Sequence, residues 1–164
     1  MTNTEIKRLC EIFSSTEQLL EEYTAIAPVI MKTESDEGEL LREKIDERQK
    51  LVDRISELRA EATEILDSGD KREAELIRAM LTGSTVNEHV KDELIPVRKA
   101  VVNLRSAHIK ATESDRALQM QFESRLQEAK DQLKQLNSEK KKLDYYSSLN
   151  QTGNKLGGSL DSSF

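Results

Sequence analysis

The sequence predicts an all-α protein: an elongated antiparallel helical bundle or coiled coil with a long C-terminal helix and a flexible tail. Three observations point there. Apolar residues recur at alternating spacings of three and four along most of the chain. Only 6 Gly and 2 Pro interrupt 164 residues, so helix breakers are sparse. Hydrophobic residues make up 36% and charged residues 34%, with no Trp and 4% aromatics. That supply of Leu, Ile, Val and Ala suits a thin core shared between a few long helices. One helical domain is expected over residues 1–149, followed by a tail over 150–164.

The first helix is expected over about residues 4–31. Ile6, Leu9, Phe13, Thr16, Leu20, Tyr23, Ala27 and Ile30 form a heptad seam, and Ile12, Leu19 and Ile26 widen it. A face that wide serves a helix with more than one neighbour. Pro28 is expected to kink the last turn or end the helix early. Residues 32–39 read as a loop, with Ser35 or Asp36 placed to cap the next helix.

The second helix is expected over about 37–66. Its seam is Leu41, Ile45, Val52, Ile55, Ala62 and Leu66, widened by Leu51, Leu58 and Ile65. Arg48 and Arg59 interrupt the seam. Long basic side chains lay their stems over apolar surface and keep the charge wet, which places both at the seam's edge. Asp67-Ser68-Gly69-Asp70 is the clearest internal break. Gly69 suits a left-handed cap, and Ser68 or Asp70 suits the next N-cap; a dent in one longer helix is the alternative. A short helix is expected over 70–81, with Ala74, Ile77, Met80 and Leu81 on one side, ended by Thr82-Gly83-Ser84.

Thr85 followed by Glu88 has the capping-box pattern, and a long helix is expected from there over 85–149. Pro96 is a bend or, alternatively, the true start, because a missing N–H costs little in a first turn. Ile95 before it is biased away from the helical region. The seam runs from Val90 through His108, Ala111 and Asp115 to Phe122, where two steps of four meet as a stutter. It continues through Leu126, Ala129, Leu133, Leu136, Lys140 and Leu143. After Leu149 the chain turns polar and Gly-rich, which predicts a flexible segment.

No chemistry-bearing constellation emerges, so no catalytic residue, cofactor site or metal site is expected. His89 and His108 have no second His or Cys at ligand spacing. Gly157-Gly158 precedes no phosphate-binding Lys, and residues 67–70 lack the length of a calcium loop. Net charge is −6. The basic run Lys140-Lys141-Lys142 sits beside Glu139 and Asp144, which reads as a solvated face rather than a nucleic-acid stripe. A lone Cys10 and the lack of a long apolar run fit a reducing cytoplasm without membrane insertion.

The remaining function class is protein binding. Leu126, Leu133, Leu136 and Leu143 form a narrow seam that suits a partner helix, or alternatively the first helix of the same chain. Tyr145 and Tyr146 are adjacent and cannot share one face, so at least one is expected to be exposed.

The leading helix with Leu-Leu-Glu-Glu at 19–22, the second helix with Glu-Arg-Gln-Lys-Leu-Val at 47–52, the striped last helix with a terminal tyrosine, and the Gly-rich tail ending in Leu160-Asp161 together resemble the FlgN-type, FliT-like flagellar type III export chaperones. The resemblance implies a cytoplasmic chaperone that binds the C-terminal helical segment of hook–filament junction proteins and delivers them to the export gate. It also implies substrate contacts around 126–143 and a gate contact at Tyr145 or Tyr146. The acidic loop at 34–39 and Pro96 depart from the family pattern. The competing reading is a homodimeric coiled coil acting as a spacer or scaffold adaptor.

Overall fold

The computed structural model describes residues 1–33, 37–84 and 90–156, with side chains described through 147. It is all-α, with no strand among the described residues. Two compact units divide it, residues 1–119 and 120–164.

In the first unit, α1 spans Asn3–Lys32. Its start is a reciprocal capping box. Glu5 donates its backbone N–H to Thr2 Oγ1 at 3.2 Å, and Thr2 donates its own to Glu5 Oε2 at 2.7 Å. Pro28 does not end the helix early, the second of the two expectations for it, since α1 runs on to Lys32. The proline is exposed, while Ile26, Ala27 and Ile30 around it are buried; packing on that side outweighs the lost backbone hydrogen bond.

Helix α2 spans Gly38–Ser68 and pairs antiparallel with α1. Ser35 and Asp36 lie outside the described residues, and Glu37 occupies the N-cap position. The break at Gly69 is complete, but its geometry differs from the left-handed cap expected. Gly69 has φ −83° and ψ −171°, an extended conformation. Its lack of a side chain serves a close approach instead: a Cβ there would lie 3.0 Å from Met1 Cγ and 3.2 Å from the Ile65 carbonyl.

Helix α3 spans Lys71–Thr82 and is capped by Asp70, whose carboxylate accepts from Glu73 N–H at 3.0 Å. It ends on Gly83 at φ 80°. The Gly83 and Ser84 amides donate to Met80 and Ala79 carbonyls at 3.2 and 3.0 Å, a Schellman closure.

Residues 85–89, including the Thr85–Glu88 pattern and His89, lie outside the described residues. Val90 and Lys91, the next described residues, are not helical, so no helix runs unbroken through them into α4. A 3₁₀ turn at Asp92–Leu94 leads into α4, Ile95–Leu156. Pro96 therefore sits in the first turn, where its fixed φ is helical and its missing N–H has no helical partner to lose. Ile95 is nonetheless helical, at φ −57° and ψ −45°, against the bias of a residue before proline. At the other end α4 passes the change of composition at Asn150 and reaches Leu156.

The first unit has two cores. The larger joins Ile6, Leu9, Ile12 and Phe13 of α1 with the far end of α2, the inner face of α3, Leu94 of the 3₁₀ turn and the start of α4, with Leu94, Val97 and Val101 fully buried. The smaller joins Ile26, Ala27 and Ile30 of α1 with Leu118 of α4, with Leu41 and Leu51 of α2 beside them. The early residues of α1 meet the early residues of α4, and the late meet the late. Within this unit α4 thus runs parallel to α1 and antiparallel to α2. Each buried Leu or Ile contributes about 1.5–3 kcal/mol of gross burial energy.

The second unit is described by the remainder of α4. None of its side chains from Met120 to Ser147 is buried. Local pairs accompany the helix: Gln127 donates to Asp131 at 3.0 Å, Lys134 to Asp131 at 3.3 Å, and Ser124 to Glu128 at 3.2 Å. Pairs of this kind add a few tenths of a kcal/mol each, roughly 0.2–0.5.

Candidate partner-binding surface

The four leucines predicted to bind a partner, Leu126, Leu133, Leu136 and Leu143, are between 56% and 69% exposed. They belong to neither core. At about 100° of rotation per residue they fall within about 100° of arc on α4, over roughly 25 Å of its length. Phe122 stands at the head of the same line and Ala129 and Lys140 fill it. The flanks are polar and charged. This is an apolar ridge, not a pocket, and it suits a helix laid alongside it.

The two tyrosines divide. Both are 63% exposed, with ring centres 6.0 Å apart in an edge-on arrangement. Tyr146 follows Leu143 by three residues and sits at the ridge's edge. Tyr145 is turned another 100° away and lies on the opposite side. By this geometry Tyr146 adjoins Leu143, about 60° round the helix from it, and Tyr145 lies further from the leucine line.

A second feature was not anticipated from the sequence. Arg48 of α2 is not at the wet edge of the seam. Its side chain is only 12% exposed. Its guanidinium lies 3.6 Å from the centre of the Tyr23 ring and donates to Asp115 Oδ1 at 2.7 Å. The Tyr23 hydroxyl donates to the same carboxylate at 3.0 and 3.2 Å. Burial, then the hydrogen bond to Asp115, pushes the Tyr23 phenol above its ordinary pKa. Arg48 Nε has no partner. The weak stretch of the α4 seam around His108 and Asp115 is thus matched by polar residues from α1 and α2. The signal available was that all three residues occupy seam positions. Arg59, in contrast, is exposed as expected, and so is His108.

A second polar cluster closes the base of the unit. Glu73 is buried and accepts from Lys91 Nζ and from the Met1 amino group, each at 2.5 Å. Hydrogen bonds from Lys91 and from that amino group hold its carboxyl below the ordinary range. These contacts tie α3 to the chain on either side. Among the described residues no three His, Cys, Asp or Glu side chains gather where they could hold a metal ion. No described helix is long and apolar enough to cross a membrane.

Comparison with family models, with curated proteins and with solved structures finds no match to this chain.

Proposed function

We propose that this chain is a cytoplasmic, non-catalytic binding protein that covers an amphipathic helix of a partner with the Leu126–Leu133–Leu136–Leu143 ridge. In the form that the resemblance to FlgN-type chaperones implies, the partner is the C-terminal helical segment of a flagellar hook–filament junction protein, held until it reaches the export gate. The observation that carries the reading is the exposure of all four leucines along one side of α4, in a stretch where no side chain from Met120 to Ser147 is buried.

The mechanism is physical. A substrate tail with an apolar helical stripe is disordered and sticky when free. Covering the stripe releases about 25 cal/mol per Å² of apolar area, and ordering the tail offsets much of that. The result is protection with release. Tyr146, at the ridge's end, is the better placed of the two tyrosines for a contact that senses an occupied ridge.

The test is a pull-down with purified chain and a Leu133→Glu variant as baits, against a purified junction-protein C-terminal segment. Recovery at about one to one by the parent chain, and loss with the variant, supports the reading. Equal recovery by both contradicts it.

A second reading has its own observation. The steps of three and four from Phe122 to Leu143 are those of a two-stranded seam, which fits a homodimeric spacer. A dimeric mass in solution that Leu133→Glu reduces to the monomer favours this reading.

A further inference from the structure

The outward face of α4 in the first unit differs from the rest of the protein. Ile95, Val102 and Ile109 lie seven residues apart on one line and are 53%, 58% and 56% exposed. Seven-residue spacing keeps them nearly in register along a helix. On one side of the line stand Arg98 and Arg105, also seven apart; on the other stand Lys99 and Lys110. All four are exposed or half-buried at the surface. From Ile95 to Thr112 the sequence contains no Asp or Glu, in a chain whose net charge is −6.

Several cations elsewhere in this unit are matched. Arg8 pairs with Glu61 at 2.6 Å, Lys44 with Glu47 at 2.7 Å, Arg54 with Glu57 at 2.6 Å, and Arg78 with Asp67. Among the described residues, Arg98, Lys99, Arg105 and Lys110 form no ion pair. Arg105 lies against Gly83, at the C-terminal turn of α3, where the helix dipole favours a cation.

The opposite face of this stretch is fixed in the core through Val97, Ala100, Val101, Ala107 and Ala111. Only a ridge is therefore on offer. A membrane-surface helix sinks an apolar face about 5–10 Å into the lipid and favours Trp, Phe or Leu there; a line of short β-branched residues on a helix anchored in a bundle does not fit that. Nucleic-acid backbones need cations but have no use for the apolar line. An apolar line between two basic rows complements a helix with an apolar line between two acidic rows.

We infer that Ile95, Val102 and Ile109, between Arg98 and Arg105 on one side and Lys110 on the other, form a docking ridge for an acidic amphipathic helix of a partner protein. This surface is separate from the leucine ridge and does not depend on its assignment. It makes the chain a two-site binder, with a charge-selective site in the first unit.

The probe is a fluorescently labelled synthetic helix with Leu at every seventh residue, Glu on both sides of that row and Ala elsewhere, titrated with the full chain. It is expected to bind, and to bind more weakly as salt screens the exposed charges. The double variant Arg98→Glu/Arg105→Glu is expected to weaken binding by about tenfold or more, as is Val102→Asp. Arg98 and Val102 are exposed and outside the core, so Arg98→Glu alone and Val102→Asp should melt like the parent chain when followed by circular dichroism, whereas Arg105→Glu also removes a cation from the end of α3 and is read against them. Leu133→Glu should bind the probe like the parent. Absence of binding overturns the inference. So does equal binding of a matching helix with Lys in place of Glu, or a loss caused by Leu133→Glu but not by Val102→Asp. Capture of phosphatidylserine vesicles with no binding of the Glu helix assigns the ridge to lipid and overturns it as well.

Discussion

Arg48 stacks its guanidinium on the ring of Tyr23 at 3.6 Å while pairing with Asp115 at 2.7 Å. One cation thereby joins α1, α2 and α4. The two partners differ in exposure, with Arg48 mostly covered and Asp115 half open. Removing Asp115 leaves a covered guanidinium short of its counter-charge; removing Arg48 leaves a carboxylate that water reaches. Asp115→Ala is expected to lower unfolding stability by about 1–2 kcal/mol, and Arg48→Met by less. A double-mutant cycle in urea should show coupling between the two positions.

Glu73 sets the response to acid. Its carboxyl is held below its ordinary value of 4.5 by Lys91 and the Met1 amino group. A depressed folded pKa means that the contribution is complete above the unfolded value and is lost as pH falls through the folded value. Lys91 has the opposite sign: raised by Glu73, it contributes fully below 10.5 and loses that as pH rises. Glu73→Gln should therefore destabilise the protein at neutral pH and flatten its stability profile below pH 4.5. Denaturation midpoints measured across that range for both proteins check this.

Much of the bundle is legible in the sequence. The seams of α1 and α3 follow from their periodicity, and Asp70 and Gly83 mark the limits of α3, whereas α1 opens on a Thr2–Glu5 capping box just outside the expected range and runs on through Pro28. The start of α4 is not, because Thr85 and Glu88 carry a cap pattern while Pro96 sets where the helix begins. Local signals compete there, and only the packing of Leu94 and Val97 decides between them. The exposure of Ile45 and Val52 is a similar case. Both fit the seam of α2, yet α2 buries fully only Leu58, Ala62 and Leu66. The leucine ridge is readable as apolar periodicity, but its lack of cover is not. The basic ridge of α4 is hidden because its cations are spread three, four and seven residues apart rather than in a run.

Core and ridge residues should behave differently. Ile77 has no exposed surface, and Ile77→Ala should cost about 2–5 kcal/mol through lost burial and a cavity. Leu136→Ala, on the exposed ridge, should stay within about 0.5 kcal/mol of the parent. Urea titrations of the two variants side by side make the comparison.

Gly83 holds φ 80° at the end of α3, with Arg105 Nη2 where a Cβ would point. Gly83→Ala should cost about 1 kcal/mol from the backbone alone, since the arginine end can swing aside. Thermal melts of Gly83→Ala, Arg105→Ala and the double variant should show that the alanine remains costly without the arginine.

The most direct test of the leucine ridge is calorimetric titration of a purified junction-protein C-terminal segment into the parent chain and into Leu126→Glu/Leu133→Glu. The parent should bind one to one, and the variant should bind at least about tenfold more weakly with its helicity intact. Equal affinities, or no binding by the parent, would contradict the assignment of this surface to that partner.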